Sequence, residues 1–477
     1  MRGDSGRRYG SRMALPAPAD HDAPPRTPTP GQAWRTELAA TRRLAVPVAM
    51  VQVGLMLMGV VDTMMVGRLS ASALAAVALG NLYFFNVTAF ATGMLMALDP
   101  VVAQAVGARD HDAIAHGVQR GVLLALLLTV PTALLMVPSA AVLRAFGQPA
   151  EVIDAASRFV WLSIPAIPAW LGFVVFRQTL QAMAQTRAIV LTIVIANVLN
   201  AGLDWALIFG HLGLPALGTD GSAVATTLSR WAMALLLLAA AWPRLRHALR
   251  PWLRDSARPA ALWRLARIGV PIGAQQLLEF SAFGAIGLLM GRLGTVAMAG
   301  HQATINLASL TFMVPLGVGA AAAVRVGHAV GAGDAAGARR AAKAAMVWGI
   351  GFMLVSAVVL LLAPRALARL YTPDAAVVAV AATLIPLAGI FQVFDGLQVV
   401  SLGVLRGVGD TRVPMVVNVV GFWLVGLPIG VWLGLQRGMG PAGLWLGLVA
   451  GLAAVGVVLG LRVRHRLAGE LRRLHHA

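Results

Sequence analysis

The sequence predicts an all-α polytopic membrane protein, with twelve transmembrane helices in two pseudo-symmetric six-helix lobes. Three observations predict it. Of 477 residues, 58% are hydrophobic and only 12% are charged, with a mean hydropathy of +0.78, against roughly 25% charged residues in an ordinary soluble domain. The apolar residues form about twelve runs, most near the length of about 20 residues that one bilayer crossing needs. Short motifs recur at a fixed distance: Gly67-Arg68-Leu69-Ser70 as Gly291-Arg292-Leu293-Gly294, and Val106-Gly107-Ala108-Arg109-Asp110 as Val330-Gly331-Ala332-Gly333-Asp334, both 224 residues on. Thr186-Arg187 returns as Thr411-Arg412, 225 residues on. With six crossings per copy, both copies enter the membrane from the same side, so the repeats are parallel and related by an axis along the membrane normal.

The apolar segments span about 42–67, 74–104, 117–138, 155–182, 188–210, 220–242, 263–291, 296–324, 342–363, 376–405, 412–435 and 441–463. They are too long for a barrel of alternating strands of about ten residues. Pro47, Pro165, Pro168, Pro271, Pro315, Pro386 and Pro428 fall inside them, where a membrane helix tolerates proline as a kink. Residues 1–40 are assigned to a disordered cytoplasmic tail, because their Pro-rich, polar start has no apolar core and does not resemble a signal peptide. Met13 is an alternative start to Met1. The remaining expected boundaries are 41–242 for the first lobe (helices 1–6), 243–262 for a basic cytoplasmic linker, 263–465 for the second lobe (helices 7–12) and 466–477 for a cytoplasmic C-terminal tail.

Charge sets the orientation. The net charge is +19, nearly all from Arg, since Lys343 is the one lysine. Arginines crowd alternate loops: Arg42 and Arg43, Arg109 and Arg120, Arg187, the 244–258 stretch, Arg339 and Arg340, Arg412, and the run after Arg462. That alternation is the positive-inside bias of a membrane protein with both termini cytoplasmic, so the charge does not imply a nucleic-acid partner; lipid is the expected surrounding. With no cysteine, disulfides, thiolate metal sites and thiol nucleophiles are excluded. No His-Glu-x-x-His, Gly-x-x-x-x-Gly-Lys or Gly-x-Ser-x-Gly pattern is present, so no enzyme activity is expected. No resident cofactor is expected either.

Against this background the intramembrane acids stand out. Asp62, Asp204, Glu279 and Asp395 lie within apolar runs, where an ionised side chain costs about 2.5–3.5 kcal/mol even on the mildest insertion scale. Asn197, Asn200 and Asp204 are spaced three and four apart, which places them on one face of the fifth helix. At 1.5 Å per residue, Asp204 lies about 24 Å and Asp62 about 27 Å from the inner ends of their helices, so the two can meet at one depth. Two carboxylates and an amide oxygen suit a hard cation such as Na+. They also suit a proton shared between like charges. Glu279 follows Gln275 and Gln276, and Asp395 lies between Gln392 and Gln398, so each acid has amides about one turn away. The repeat maps Glu279 to Leu55 and Asp395 to Trp170, so each lobe has its own acid pair. Gln302 and Asn306 line a cleft or serve as polar glue between helices, and neighbouring His301 is either a titrating group or an interfacial one. Met56, Met58, Met64, Met65, Met94 and Met96 offer soft apolar surface. Arg68 and Arg292 are read as helix ends at the outer face, and Arg177 as snorkelling inward.

Val61-Asp62-Thr63-Met64-Met65-Val66-Gly67-Arg68, followed by Leu74-Ala75-Ala76-Val77-Ala78, resembles the first-helix signature of the MATE (multidrug and toxic compound extrusion) family. Pro100 to Ala108 resembles that family's second-helix ending, Asn200-Ala201-Gly202-Leu203-Asp204 its fifth-helix Asn-x-x-x-Asp, and Leu405 to Thr411 its loop after helix ten. The match covers about 40–465. Glu279 and Asp395 are similar to the acids of the bacterial NorM-like branch. The resemblance implies a V-shaped pair of lobes and multidrug efflux: export of small organic cations, such as dyes and cationic antibiotics, in antiport with inward Na+ or H+. It assigns Asp62, Asn200 and Asp204 to the coupling ion, and Glu279 and Asp395 to substrate or a second ion. Na+ is the candidate metal at either cluster. Asn197, Gln275, Gln302, Asn306 and Gln392 are candidate cleft-lining residues. A monomer is expected. The alternative is a lipid-linked oligosaccharide flippase of the same superfamily, which should present cationic side chains to a pyrophosphate, whereas the mid-membrane charges here read as mostly acidic. Asp99, before Pro100, departs from the family pattern.

Overall fold

The structure is a computed structural model that describes residues 29–474. Among the described residues there are twelve helices long and apolar enough to cross a membrane: α1 Pro30–Val66, α2 Ala71–Gly107, α3 His111–Met136, α4 Ala150–Ala182, α5 Thr186–Phe209, α6 Gly218–Leu249, α7 Pro259–Arg292, α8 Thr295–Gly331, α9 Ala335–Leu362, α10 Ala375–Gly407, α11 Arg412–Gln436 and α12 Gly440–Ala468. No strand is present among those residues. Residues 1–28 of the expected tail lie outside the described residues. Its last part is not tail: α1 begins at Pro30, capped by Thr29, whose hydroxyl accepts from the Gln32 N–H while the Gln32 side chain returns to the Thr29 N–H. This reciprocal cap extends the helix below the apolar run. Likewise α6 continues to Leu249 and α7 starts at Pro259, so the linker shortens to the stretch between them, and α12 runs to Ala468. Hydropathy placed these boundaries too far inside because the helix ends are amphipathic and leave the apolar layer.

Helix α2 is broken between Leu95 and Leu98. Pro100 explains the break, since it lacks an N–H and its ring crowds the carbonyl of Met96. Helix α4 tightens for one turn at Ile164–Ala166, next to Pro165 and Pro168.

The duplication is visible in space. Short helices at Ser139–Ala145 and Pro364–Arg369 follow α3 and α9 and start 225 residues apart. At the end of the bundle that bears the termini, the two copies exchange equivalent contacts. Gln104 Nε2 donates to the Gly407 carbonyl at 2.9 Å, and His328 Nε2 donates to the Ala182 carbonyl at 2.6 Å. Residues 104 and 328 are repeat equivalents, as are 182 and 407, so each copy caps the last turn of the other's fourth helix, where carbonyls lack intrahelical partners. The same reciprocity governs Gly107 and Gly331. A methyl group on Gly107 would meet the backbone of His328, and one on Gly331 would meet the backbone of Gln104. Only glycine permits so close a backbone approach.

The cores follow suit. Leu44, Ala45 and Val48 of α1 pack into the core of the second lobe, while Leu265 and Ala266 of α7 pack into that of the first. Each lobe's first helix therefore leans its termini-side half into the other lobe. Polar contacts close the same end. Glu37 on α1 takes a bidentate pair from Arg325 on α8, at 2.9 and 2.7 Å. After α12, Arg473 bonds Asp110 at 2.9 Å and the Leu474 N–H bonds Gln104 Oε1 at 2.8 Å. The lobes are thus fastened together at the termini-bearing end.

Candidate functional site

The first cluster lies where α1, α5 and α6 meet. Asp62 is 2% exposed, and Asn200 and Asp204 are 0% exposed. Asp62 and Asp204 are neighbours at this junction, with Asn200 one turn before Asp204 on α5. The three residues that the sequence grouped are thus buried together at this junction. Two neighbouring carboxylates away from water favour a shared proton or a bound cation. Asp62 Oδ1, both Asp204 oxygens and both Asn200 amide atoms are buried without hydrogen-bond partners. Buried polar atoms are normally paired, so these stand out within the bundle.

Two residues of this cluster escaped sequence reasoning. Thr226 on α6 donates to Asp62 Oδ2 at 3.2 Å, while its hydroxyl also reaches the Ser222 carbonyl at 2.9 Å. Arg230, one turn further along α6, places its guanidinium over the Phe84 ring at 3.7 Å from the centroid. The signal was available: Arg230 is the one charge between Gly221 and Ala241, and a charge within a membrane segment is a functional candidate by default. Asn197 stands apart. Its amide donates to the carbonyls of Gly54 at 3.0 Å and Ile193 at 2.8 Å, tying α5 to α1.

The second cluster lies among α7, α10 and α11. Glu279 accepts from Gln398 on α10 and from Asn418 on α11, both at 3.3 Å, and Gln275 lies one turn before it on α7. Asn418 was not foreseen, since a lone amide in an apolar run gives no periodic signal. Asp395 is 7% exposed and lies within electrostatic range of Glu279.

Three expectations about the amides change. Gln398 serves Glu279 across the helix interface rather than its own neighbour Asp395. Gln392 is 0% exposed and turns into the second lobe's core, bonding Ser356 at 2.7 Å, Thr311, and the Ala308 carbonyl, so it lines no cleft. Gln302 is exposed and donates to Asn306 at 3.2 Å. His301 is interfacial: it is buried, and its Nδ1 accepts from Trp445 at 3.2 Å.

The bundle also holds buried arginines that the acid-dominated reading undercounted. Asp99, which is fully buried, pairs with Arg406 of the other lobe at 3.7 Å and accepts from Gln178 at 3.2 Å. Arg177 does not snorkel; it is buried and donates to Gln52 on α1 at 2.9 Å. Among the described residues no three His, Asp or Glu side chains converge as a transition-metal site would need.

Two six-helix repeats fastened at one end, each holding acids within its helices among amides and hydroxyls, define a secondary-transporter architecture. The MatE family model matches the chain twice, at residues 47–206 and 271–432, once in each repeat. The sequence is 38% identical over 410 residues to a multidrug resistance protein NorM of Burkholderia vietnamiensis, covering 84% of this chain and 88% of that one. It is 36% identical to a multidrug resistance protein MdtK of Pectobacterium atrosepticum, covering 86% and 92%. The fold superimposes on the eukaryotic MATE transporter AtDTX14 with a TM-score of 0.84 at 25% identity, covering 91% and 96% of the two chains. The chain belongs to the MATE family, and within it is NorM-like.

Proposed function

We propose that the chain is a secondary active multidrug exporter of the bacterial inner membrane that carries organic cations outward in exchange for inward Na+ or H+. The observation that carries this reading is the pair of intramembrane acid clusters, one per lobe, in a bundle fastened at one end. Relatives named for multidrug resistance support the efflux direction. The arginine-rich loops support a cytoplasmic position for the termini and the fastened end, and in this reading the conformation is closed inward. Arg406 is engaged by Asp99 and Arg177 by Gln52 rather than presented to a pyrophosphate, which supports export over lipid-linked sugar flipping.

In this reading Asp62, Asn200 and Asp204 hold the coupling ion. Asn200→Ala is expected to weaken ion dependence less than Asp204→Asn, because a neutral oxygen attracts a cation less than a carboxylate does. Ion-dependence curves of dye efflux check this; a larger loss in Asn200→Ala would make the residue structural.

Glu279 and Asp395 select the cationic substrate. Glu279→Gln with Asp395→Asn is expected to lower ethidium affinity while leaving ²²Na+ binding and proton release at the first cluster intact. The reverse pattern, dye affinity kept and ion response lost, would reassign these acids to a second ion. The function as a whole is tested in inverted vesicles loaded with protein shown to be folded. Uptake of a fluorescent cation should follow an imposed pH or Na+ gradient, and no response to either would overturn the proposal.

A further inference from the structure

We propose that Arg230 is the resident counter-charge of the first cluster and limits it to one monovalent cation at a time. This deepens, and rests on, the assignment of that cluster to the coupling ion.

The cluster joins Asp62 from α1, Asp204 from α5 and Arg230 from α6, with Thr226 one turn from Arg230 on the same helix. Thr226 bonds Asp62 at 3.2 Å, so the stem of Arg230 leaves α6 on the face turned to the acids. The guanidinium is braced by the Phe84 ring of α2 at 3.7 Å. One of its terminal nitrogens is buried without a hydrogen-bond partner, and no carboxylate lies in salt-bridge contact with it among the described residues. Arg230 is therefore a cation held near the acids yet not spent on either of them. Asn200, fully buried with both amide atoms unpartnered, independently marks a ligand position between them.

The charge count follows. Two carboxylates and one guanidinium leave the cluster at minus one. One Na+, or one proton, brings it to zero. A second monovalent ion, or a divalent one, would leave a net positive charge in a buried site, which the low dielectric penalises. Without Arg230 the neutral state would need two monovalent cations or one divalent. Arginine suits the role because it stays protonated at every physiological pH, so the count does not drift.

The test uses full-length protein reconstituted in liposomes, in a Glu279→Gln, Asp395→Asn background that silences the second cluster. One arm counts ²²Na+ bound per protein. The other counts protons taken up without Na+, using a pH dye; the two arms separate the two ions. The parent should bind one equivalent in one arm, lost in Asp62→Asn with Asp204→Asn. Arg230→Met should bind two equivalents, or bind one at least about tenfold more tightly, as removal of a nearby unit charge requires, and should gain Ca²⁺ binding. Arg230→Lys should remain at one. Arg230→Met combined with Asp62→Asn, which avoids an uncompensated pair of anions and guards against failed folding, should also return to one. An Arg230→Met protein with parental capacity for mono- and divalent ions and unchanged affinity, or a folded double variant that binds none or two equivalents, would overturn the role of Arg230 alone. Absence of any Asp62-dependent cation in the parent would instead overturn the coupling-site assignment on which it rests.

Discussion

Asp62→Asn is expected to insert and fold like the parent and to lose gradient-driven efflux completely. The substitution keeps the shape of the side chain and its ability to bond Thr226, which stands at 3.2 Å, so packing among α1, α5 and α6 is preserved. It removes the one charge that α1 brings to the first cluster. The remaining carboxylate, Asp204, then has no anionic partner with which to share a proton or a cation. An antiporter whose ion site no longer changes occupancy across the cycle has no differential affinity with which to shift its conformational equilibrium. Dye transport in inverted vesicles under an imposed pH or Na+ gradient is the measurement. Parental transport rates would remove Asp62 from the coupling site.

Asp99→Leu is expected to be the most destabilising single change within the lobe interface. Asp99 is 0% exposed and pairs with Arg406 across the lobes at 3.7 Å, with Gln178 at 3.2 Å. Removing the carboxylate leaves a largely buried guanidinium uncompensated, a change that typically costs about 3–5 kcal/mol. Arg406→Met added to Asp99→Leu should recover much of that loss, because replacing both partners of a buried pair by apolar groups is often neutral. Thermal unfolding of the four proteins of the cycle in detergent yields the coupling between the two residues. If Asp99→Leu unfolds within about 0.5 kcal/mol of the parent, as an ordinary surface change would, the pair does not hold the lobes together.

The residue that departs from the family pattern thus finds its explanation in a partner 307 positions away, and no local signal could have supplied it. The same holds for the amides. Gln392 and Gln398 both sit within a turn of Asp395, and helical spacing alone makes either a partner for it. Packing sends Gln392 into the core against Ser356 and Gln398 across to Glu279. Arg230 was legible as an isolated charge in an apolar helix. Asn418 was not, because one amide among valines carries no pattern.

By itself the sequence determined the twelve crossings, the duplication, and the membership of Asp62, Asn200 and Asp204 in one cluster. Hydropathy, the 224-residue repeat and i, i+4 spacing are local or periodic, and the bilayer enforces them on any chain that spans it. Only the tertiary structure decided which faces meet. It set the reciprocal caps of Gln104 on Gly407 and His328 on Ala182, and the leaning of each first helix into the other lobe. It also added Thr226 and Arg230 to the acids and paired Asp99 with Arg406. Those choices depend on how helix surfaces interlock between segments far apart in the chain. In a membrane that interlocking is governed by close packing and buried polar contacts rather than by hydrophobicity, so the apolar pattern that places the helices carries no record of their partners.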